Sequence, residues 1–127
     1  MSDLCDKTAV ELRRMIGRKD ISPVELLDSC ITRIEATDSA LNAVITRSFD
    51  RARDEAIVAE KAVLNGKELG LLHGLPVGIK DLEATSGIRT TLGSALYADH
   101  IPTKDQGSVA NIRAEGGIII GKTNTPE

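Results

Sequence analysis

Five apolar side chains, Phe49, Ala52, Ala56, Ala59 and Val63, recur at spacings of 3, 4, 3 and 4, the strongest periodic signal in the chain. That spacing lines one face of an α-helix. Three of the five are alanines, so the face can approach a neighbouring sheet or helix closely, and Arg51, Arg53, Asp54, Glu55, Glu60 and Lys61 are left for water. Ser48 precedes the run as a cap, and Asn65-Gly66 ends it.

Two further helices are expected upstream. Thr8-Ala-Val-Glu11 and Ser22-Pro-Val-Glu25 both match the capping box, in which a hydroxyl accepts from the N3 amide and the N3 carboxylate reaches back. The first helix covers about residues 8 to 18, with Ala9, Leu12 and Ile16 on one face. The second has Pro23 at its first position and buries Leu27, Cys30, Ile31 and Ile34. A brief strand is expected over Leu41 to Thr46.

Extended structure dominates the second half. Val77 and Ile79 favour a strand, Gly78 allows close approach of another chain, and Pro76 suits a first strand residue, which places Lys80 at a strand end. Glu83 to Pro102 has no sustained period and reads as a long loop with short strand pieces, of the kind that lines a site. Asp105 is expected to cap a fourth helix burying Val109 and Ile112 and stopping at Gly116-Gly117. Ile118-Ile119-Ile120 then reads as a strand covered on both faces. The order of elements predicts an α/β fold.

With 127 residues, 41% hydrophobic, the chain can hold one modest core. Sixteen basic and nineteen acidic residues are intermixed for a net charge of −3, and aromatic content is 2%, which excludes nucleic acid as a direct partner of this segment. The longest apolar run, Ile118 to Ile120, is too short to span a bilayer, and nothing at the N-terminus resembles a secretion signal. A cytoplasmic chain is therefore expected, with Cys5 and Cys30 as reduced thiols. His73 and His100 have no ligand partner at i+3 or i+4, and no metal or cofactor is expected.

Three chemistries compete for the glycine- and lysine-bearing segments. Gly116-Gly-Ile-Ile-Ile-Gly121-Lys122-Thr123 satisfies the phosphate-loop pattern, but β-branched isoleucines fill the positions that a loop must occupy, and Pro126 falls where the following helix should run. Lys80 could form a Schiff base, as in aldolases, yet the barrel repeat this requires is missing. Lys80 could instead act as a neutral base. An unperturbed lysine, with a pKa of about 10.4, is neutral only about once in a thousand molecules near pH 7.5, so a dry or positively charged pocket is needed. Otherwise its ammonium reaches solvent beside Asp81.

The segment Gly74-Leu-Pro-Val-Gly-Ile-Lys80-Asp81-Leu82 resembles the lysine motif of the amidase signature family, whose members hydrolyse amide bonds with a Ser-cisSer-Lys triad. Thr85-x-Gly87-x-x-Thr90-Thr91-x-Gly93-Ser94 and Gly121-Lys-Thr-Asn-Thr-Pro-Glu127 are similar to segments that follow in that family. The resemblance implies the N-terminal portion of the family's mixed β-sheet core flanked by helices. Its helical region would cover about 8–66 and the start of its sheet core about 67–127, with strands around 75–80 and 117–122.

It further implies Lys80 as the general base, with Asp81, Thr91, Gly93 and Ser94 near the site or structural. Lys122 and Asn124 are expected to be structural hydrogen bonders. The family's Gly/Ser-rich segment, which holds the nucleophile and its partner serine, has no counterpart in residues 1 to 127. The expected function is that of an amidohydrolase segment acting on carboxylic amides, inactive alone, whose partners would be a small-molecule amide substrate and a complementary C-terminal part or a second copy. A non-catalytic association module or split-enzyme subunit is the alternative. Lys80-Asp81-Leu82 and Thr125-Pro126-Glu127 look more like free-standing amidases than the tRNA-dependent amidotransferase subunit.

Overall fold

The computed structural model describes residues 3–126, so the final Glu127 of the closing motif lies outside the described residues. A single 3₁₀ turn, Leu4–Asp6, precedes α1 (Ala9–Gly17), α2 (Pro23–Leu41), β1 (Val44–Arg47), α3 (Phe49–Leu64), β2 (Pro76–Lys80), a second 3₁₀ turn (Ala95–Tyr97), α4 (Gly107–Ala114) and β3 (Ile118–Thr123). The three strands form one mixed sheet in the order β1-β3-β2, with β1 antiparallel and β2 parallel to the central β3.

Helix starts follow the capping chemistry in two of four cases. Thr8 Oγ1 accepts from Glu11 N at 3.1 Å and Thr8 N donates to Glu11 Oε2 at 3.2 Å, a complete capping box for α1. Ser22 Oγ accepts from Glu25 N at 3.0 Å, and Pro23 opens α2. Ser48 occupies the cap position of α3 without a side-chain cap bond. For α4 the expected cap is wrong: Gln106 holds that position, while Asp105 accepts from Ser86 N at 2.7 Å and pairs with Arg113. A carboxylate offered two strong partners across the chain does not turn back to its own helix.

The helix α2 also runs further than its pattern suggests. It continues to Leu41 and ends on Asn42 in the left-handed conformation, so the strand begins at Val44 rather than Leu41. Buried Asp38 fixes that corner by accepting from Ala43 N at 2.7 Å and Val44 N at 3.1 Å.

Two layers cover the sheet. Ile118 and Ile120 pack with Leu27 and Ile31 of α2 and Ala52, Ala56 and Ala59 of α3. The alanine stripe thus seats α3 directly on β3 and α2, and Cys30 and Ile34 are partly rather than fully buried. On α1, Leu12 and Ile16 join Ile21, Leu26, Val63 and Leu75 in a second cluster, whereas Ala9 is exposed. The other sheet face carries Ile79 and Ile119, packed with Ile88 and with Val109 of α4. Fully burying each of the larger aliphatic side chains contributes roughly 1.5–3 kcal/mol.

A β-bulge decides which face each later residue of β3 takes. Val77 pairs with Ile119, but the next residue of β2, Gly78, pairs with Gly121, so Ile120 is an extra residue on the β3 side. Side chains otherwise alternate along a strand. The extra residue brings Lys122, paired with Ile79, onto the α4 side of the sheet. Gly121 is required at the bulge, because a Cβ there would lie 2.4 Å from the Thr46 carbonyl oxygen of β1.

Candidate active site

Lys80 is the last residue of β2 and pairs with Thr123 across the parallel ladder. Ile79 faces the α4 layer, so the pleat sends Lys80 and Gly78 to the opposite face. Both are exposed. That face is covered by α2 and α3 at Ile118 and Ile120 but bare at Gly78 and Lys80. A Cβ on Gly78 would stand 2.9 Å from Thr123 Cγ2, so the close approach of β2 to β3 there favours glycine.

Beneath this strand end the polar groups of Asp81 and Thr91 are buried and hydrogen-bonded to each other. Asp81 does not accompany Lys80 to solvent; it is 0% exposed. Its carboxylate accepts from Thr91 N at 3.1 Å and from Thr91 Oγ1, and its carbonyl accepts from Leu92 N at 3.0 Å. Thr91 Oγ1 accepts in turn from Gly93 N at 3.3 Å, and the Thr91 carbonyl accepts from Ser94 N at 3.0 Å. The four residues expected near the site, Asp81, Thr91, Gly93 and Ser94, therefore form one tight turn at the exit of β2. Leu92 and Gly93 both adopt positive φ in it, 58° and 73°. Ser94 Oγ accepts from Leu96 N at 3.2 Å, a local capping role.

Lys122 is the side chain whose importance exceeds its expected part. Placed under the loop by the bulge, it is 0% exposed, the bulkiest of the fully buried side chains. Its ammonium donates to Glu83 O at 2.6 Å, Thr85 Oγ1 at 2.8 Å and Thr90 Oγ1 at 2.9 Å. All three protons are used. Burial pushes its pKa below that of an ordinary lysine, opposed by the negative charges of Asp81, Glu83 and Asp105. The sequence signal was a Gly-Lys pair closing a continuous apolar strand, a place where a cation survives only if the surrounding loop supplies acceptors.

Further bonds fasten the loop after Lys80. Gly87 N donates to Pro102 O at 3.0 Å, Thr90 N to His100 O at 2.9 Å, and Gln106 N to Ala84 O at 2.8 Å. Residues 83–102 contain the short 3₁₀ turn and no strand, so the expected strand pieces are absent; side-chain acceptors and isolated backbone bonds replace a ladder. Asn124 donates through Nδ2 to Asn42 O at 3.1 Å, tying the end of β3 to the α2–β1 corner.

The rival chemistries find no support in the geometry. Ile118, Ile119 and Ile120 are strand residues, so the Gly116–Thr123 pattern offers no phosphate-cradling loop. The sheet has three strands and is mixed, unlike the repeated parallel barrel of Schiff-base aldolases. His73 Nε2 lies 2.9 Å from the Ala59 carbonyl, a structural contact. Among the described residues no three His, Cys, Asp or Glu side chains gather as a metal site, and no helix is long and apolar enough to cross a membrane. A cleft of about 310 Å³ beside α3 is lined by Ala59, Ala62, His73 and Arg113. Arg113 there meets Glu55 at 3.4 Å and Asp105 at 3.1 Å.

Comparison with known proteins adds independent information. The amidase family model matches residues 25–127. A glutamyl-tRNA(Gln) amidotransferase subunit from Geotalea daltonii is 38% identical over 125 residues, covering 98% of this chain and 26% of the relative. An acylamidase from Rhodococcus erythropolis is 35% identical over 120 residues, covering 94% of this chain and 25% of the relative. The crystal structure of a bacterial aryl acylamidase of the amidase signature family superposes with a TM-score of 0.88 at 32% identity, over 94% of this chain and 25% of that one. The chain thus spans about a quarter of the length of the curated relatives it matches.

Proposed function

The chain belongs to the amidase family, and on that premise we propose that it forms the N-terminal part of an amidohydrolase in which Lys80 is the general base. The observation that carries this reading is the placement of Lys80: a strand-end lysine on an exposed stretch of the sheet, beside the buried Asp81–Thr91 hydrogen bonds. A general base must be positioned first and tuned second. The Asp81–Thr91 turn and the Lys122 hub supply the positioning.

The remainder of the domain would close over the Gly78–Lys80 face. Removing water from that face favours the neutral amine over the ammonium. Neutral Lys80 would then take a proton from a bridging serine, which takes one from the nucleophilic serine as it attacks the amide carbon. The leaving amine departs protonated, and water hydrolyses the resulting ester to release the acid. Both serines must come from polypeptide other than residues 1 to 127, consistent with the quarter-length span. The 127 residues alone therefore lack a nucleophile and should not turn over amides.

Sequence similarity also favours a second reading, in which the segment belongs to a protein related to the amidotransferase of Geotalea daltonii. The two readings share Lys80 and differ in what receives the released ammonia. An aryl anilide offered to the complete polypeptide separates them. A free-standing amidase releases the aniline unaided, whereas an amidotransferase component needs its partner subunits and tRNA. Turnover by residues 1 to 127 alone would overturn the proposal. A non-catalytic association module is distinguished by capture of the complementary part without any gain of hydrolysis.

A further inference from the structure

Two thiols far apart in sequence meet at the N-terminal edge of the fold. Cys5 Sγ lies 3.8 Å from Cys30 Sγ and 3.6 Å from Ser29 Oγ, and both cysteines are free and half-buried. Cys30 belongs to α2 and packs against both apolar clusters that α2 joins. Its position is fixed by the core. Cys5 sits in the Leu4–Asp6 turn, which is held largely by polar contacts at the surface. Asp3 Oδ1 accepts from Ser29 Oγ at 2.6 Å and from Cys5 N at 3.1 Å, and Arg33 Nη2 donates to Asp3 at 2.9 Å and Asp6 at 3.1 Å. These contacts deliver one sulfur to the other.

We propose that Cys5 and Cys30 form a thiol–disulfide exchange site that reacts with a low-molecular-weight disulfide and closes to an intramolecular disulfide, locking the N-terminal turn onto α2. A disulfide needs its sulfurs at about 2.05 Å. The single 3₁₀ turn that carries Cys5 makes the closing movement, and the packed helix need not move. In the first step the Cys5 thiolate attacks one sulfur of the incoming disulfide, giving a mixed disulfide on Cys5 and one small thiolate, which takes up a proton. In the second, Cys30 loses its proton to solvent and attacks the Cys5 sulfur, expelling the second small thiolate. Two protein thiols are oxidised and one small disulfide is reduced to two thiols.

The order of steps follows from the surroundings of the two sulfurs. Burial, reinforced by the neighbouring Cys5 and Asp3, pushes the Cys30 thiol up to about 12. A thiol so rarely ionised is a poor first nucleophile. It reacts once the mixed disulfide is held against it, where proximity replaces the encounter step. Ring closure is then the slow step and accelerates as pH rises.

Oxidised glutathione is the probe, added to the full chain, with intact mass, peptide mapping and non-reducing electrophoresis as readouts. The expected product is a monomer that has lost two hydrogens, carries a Cys5–Cys30 cross-linked peptide, retains no adduct and melts several degrees higher than the reduced chain. Cys30→Ser should stop at a single glutathione on Cys5. Cys5→Ser should leave Cys30 reacting at least tenfold more slowly than Cys5 does in Cys30→Ser. Accumulation of a stable doubly glutathionylated monomer, or of disulfide-linked dimers in place of the intramolecular cross-link, would overturn the proposal. The wild-type map alone decides the central point, so a variant that folds poorly does not remove the test.

Discussion

Lys122 shows how much of a loop one buried cation can organise. Replacing it with Met keeps the length and removes the charge, leaving Glu83 O, Thr85 Oγ1 and Thr90 Oγ1 without their donor. An unsatisfied buried polar group costs about 1–3 kcal/mol. Allowing for partial relaxation, Lys122→Met should lower the urea-derived unfolding free energy by about 3 kcal/mol. The pH dependence has a definite sign. The folded pKa lies below the unfolded 10.5, so the unfolded chain binds the extra proton between the two values, and stability contributed by this group rises with pH through that window. Lys122→Met should flatten that part of the curve. A similar test applies to Asp81, where Asp81→Ala should cost about 2 kcal/mol by freeing the Thr91 donors. The strand-end position of Lys80 was legible from Pro76, Gly78 and the alternating Val77 and Ile79. The burial of Asp81 was not, because its partner Thr91 lies ten residues away across a segment with no periodicity.

Elements were legible where their own side chains determined them. The Phe49–Val63 stripe gave α3 its extent and its buried face, and Thr8-Glu11 and Ser22-Glu25 gave two helix starts. Errors arose where a distant partner outbid a local one, as when Asp105 turned to Ser86 and Arg113 instead of capping α4. The bulge at Ile120 was equally hidden, since it depends on the register between two strands. Leu27 tests the layer built on that strand. It is 0% exposed and links α2 to α3 and β3, so Leu27→Ala should cost about 3 kcal/mol, measured by urea unfolding. The N-terminal turn has its own pH response. Hydrogen bonds from Ser29, the Cys5 amide and Arg33 hold Asp3 down to about 2, against 3.8 unperturbed. The support it gives is complete above 3.8 and fades as pH falls from 3.8 to about 2. The protection factors of the Leu4–Asp6 amides, taken against intrinsic exchange at each pH, should fall in that interval, and Asp3→Asn should show the lower protection already at neutral pH.

At the scale of the whole molecule, the described residues place three strands and four helices around one mixed sheet. Both β1 and β2 are edge strands, and Leu71, Leu96, Val58 and Ile101 are 78, 91, 67 and 57% exposed. Unpaired edges and exposed apolar side chains favour association. The isolated chain should sediment with a weight-average mass that rises with concentration, and adding the complementary polypeptide should suppress that rise. The role proposed for Lys80 is exercised only in the completed enzyme. The most direct measurement is kcat/KM for an aryl amide, comparing the complete polypeptide with its Lys80→Met variant, after confirming equal folding by circular dichroism. General-base contributions are typically about 10²–10⁴-fold. A loss of at least about 10²-fold is expected, with KM little changed. A Lys80→Met enzyme that keeps its wild-type kcat/KM would contradict that role.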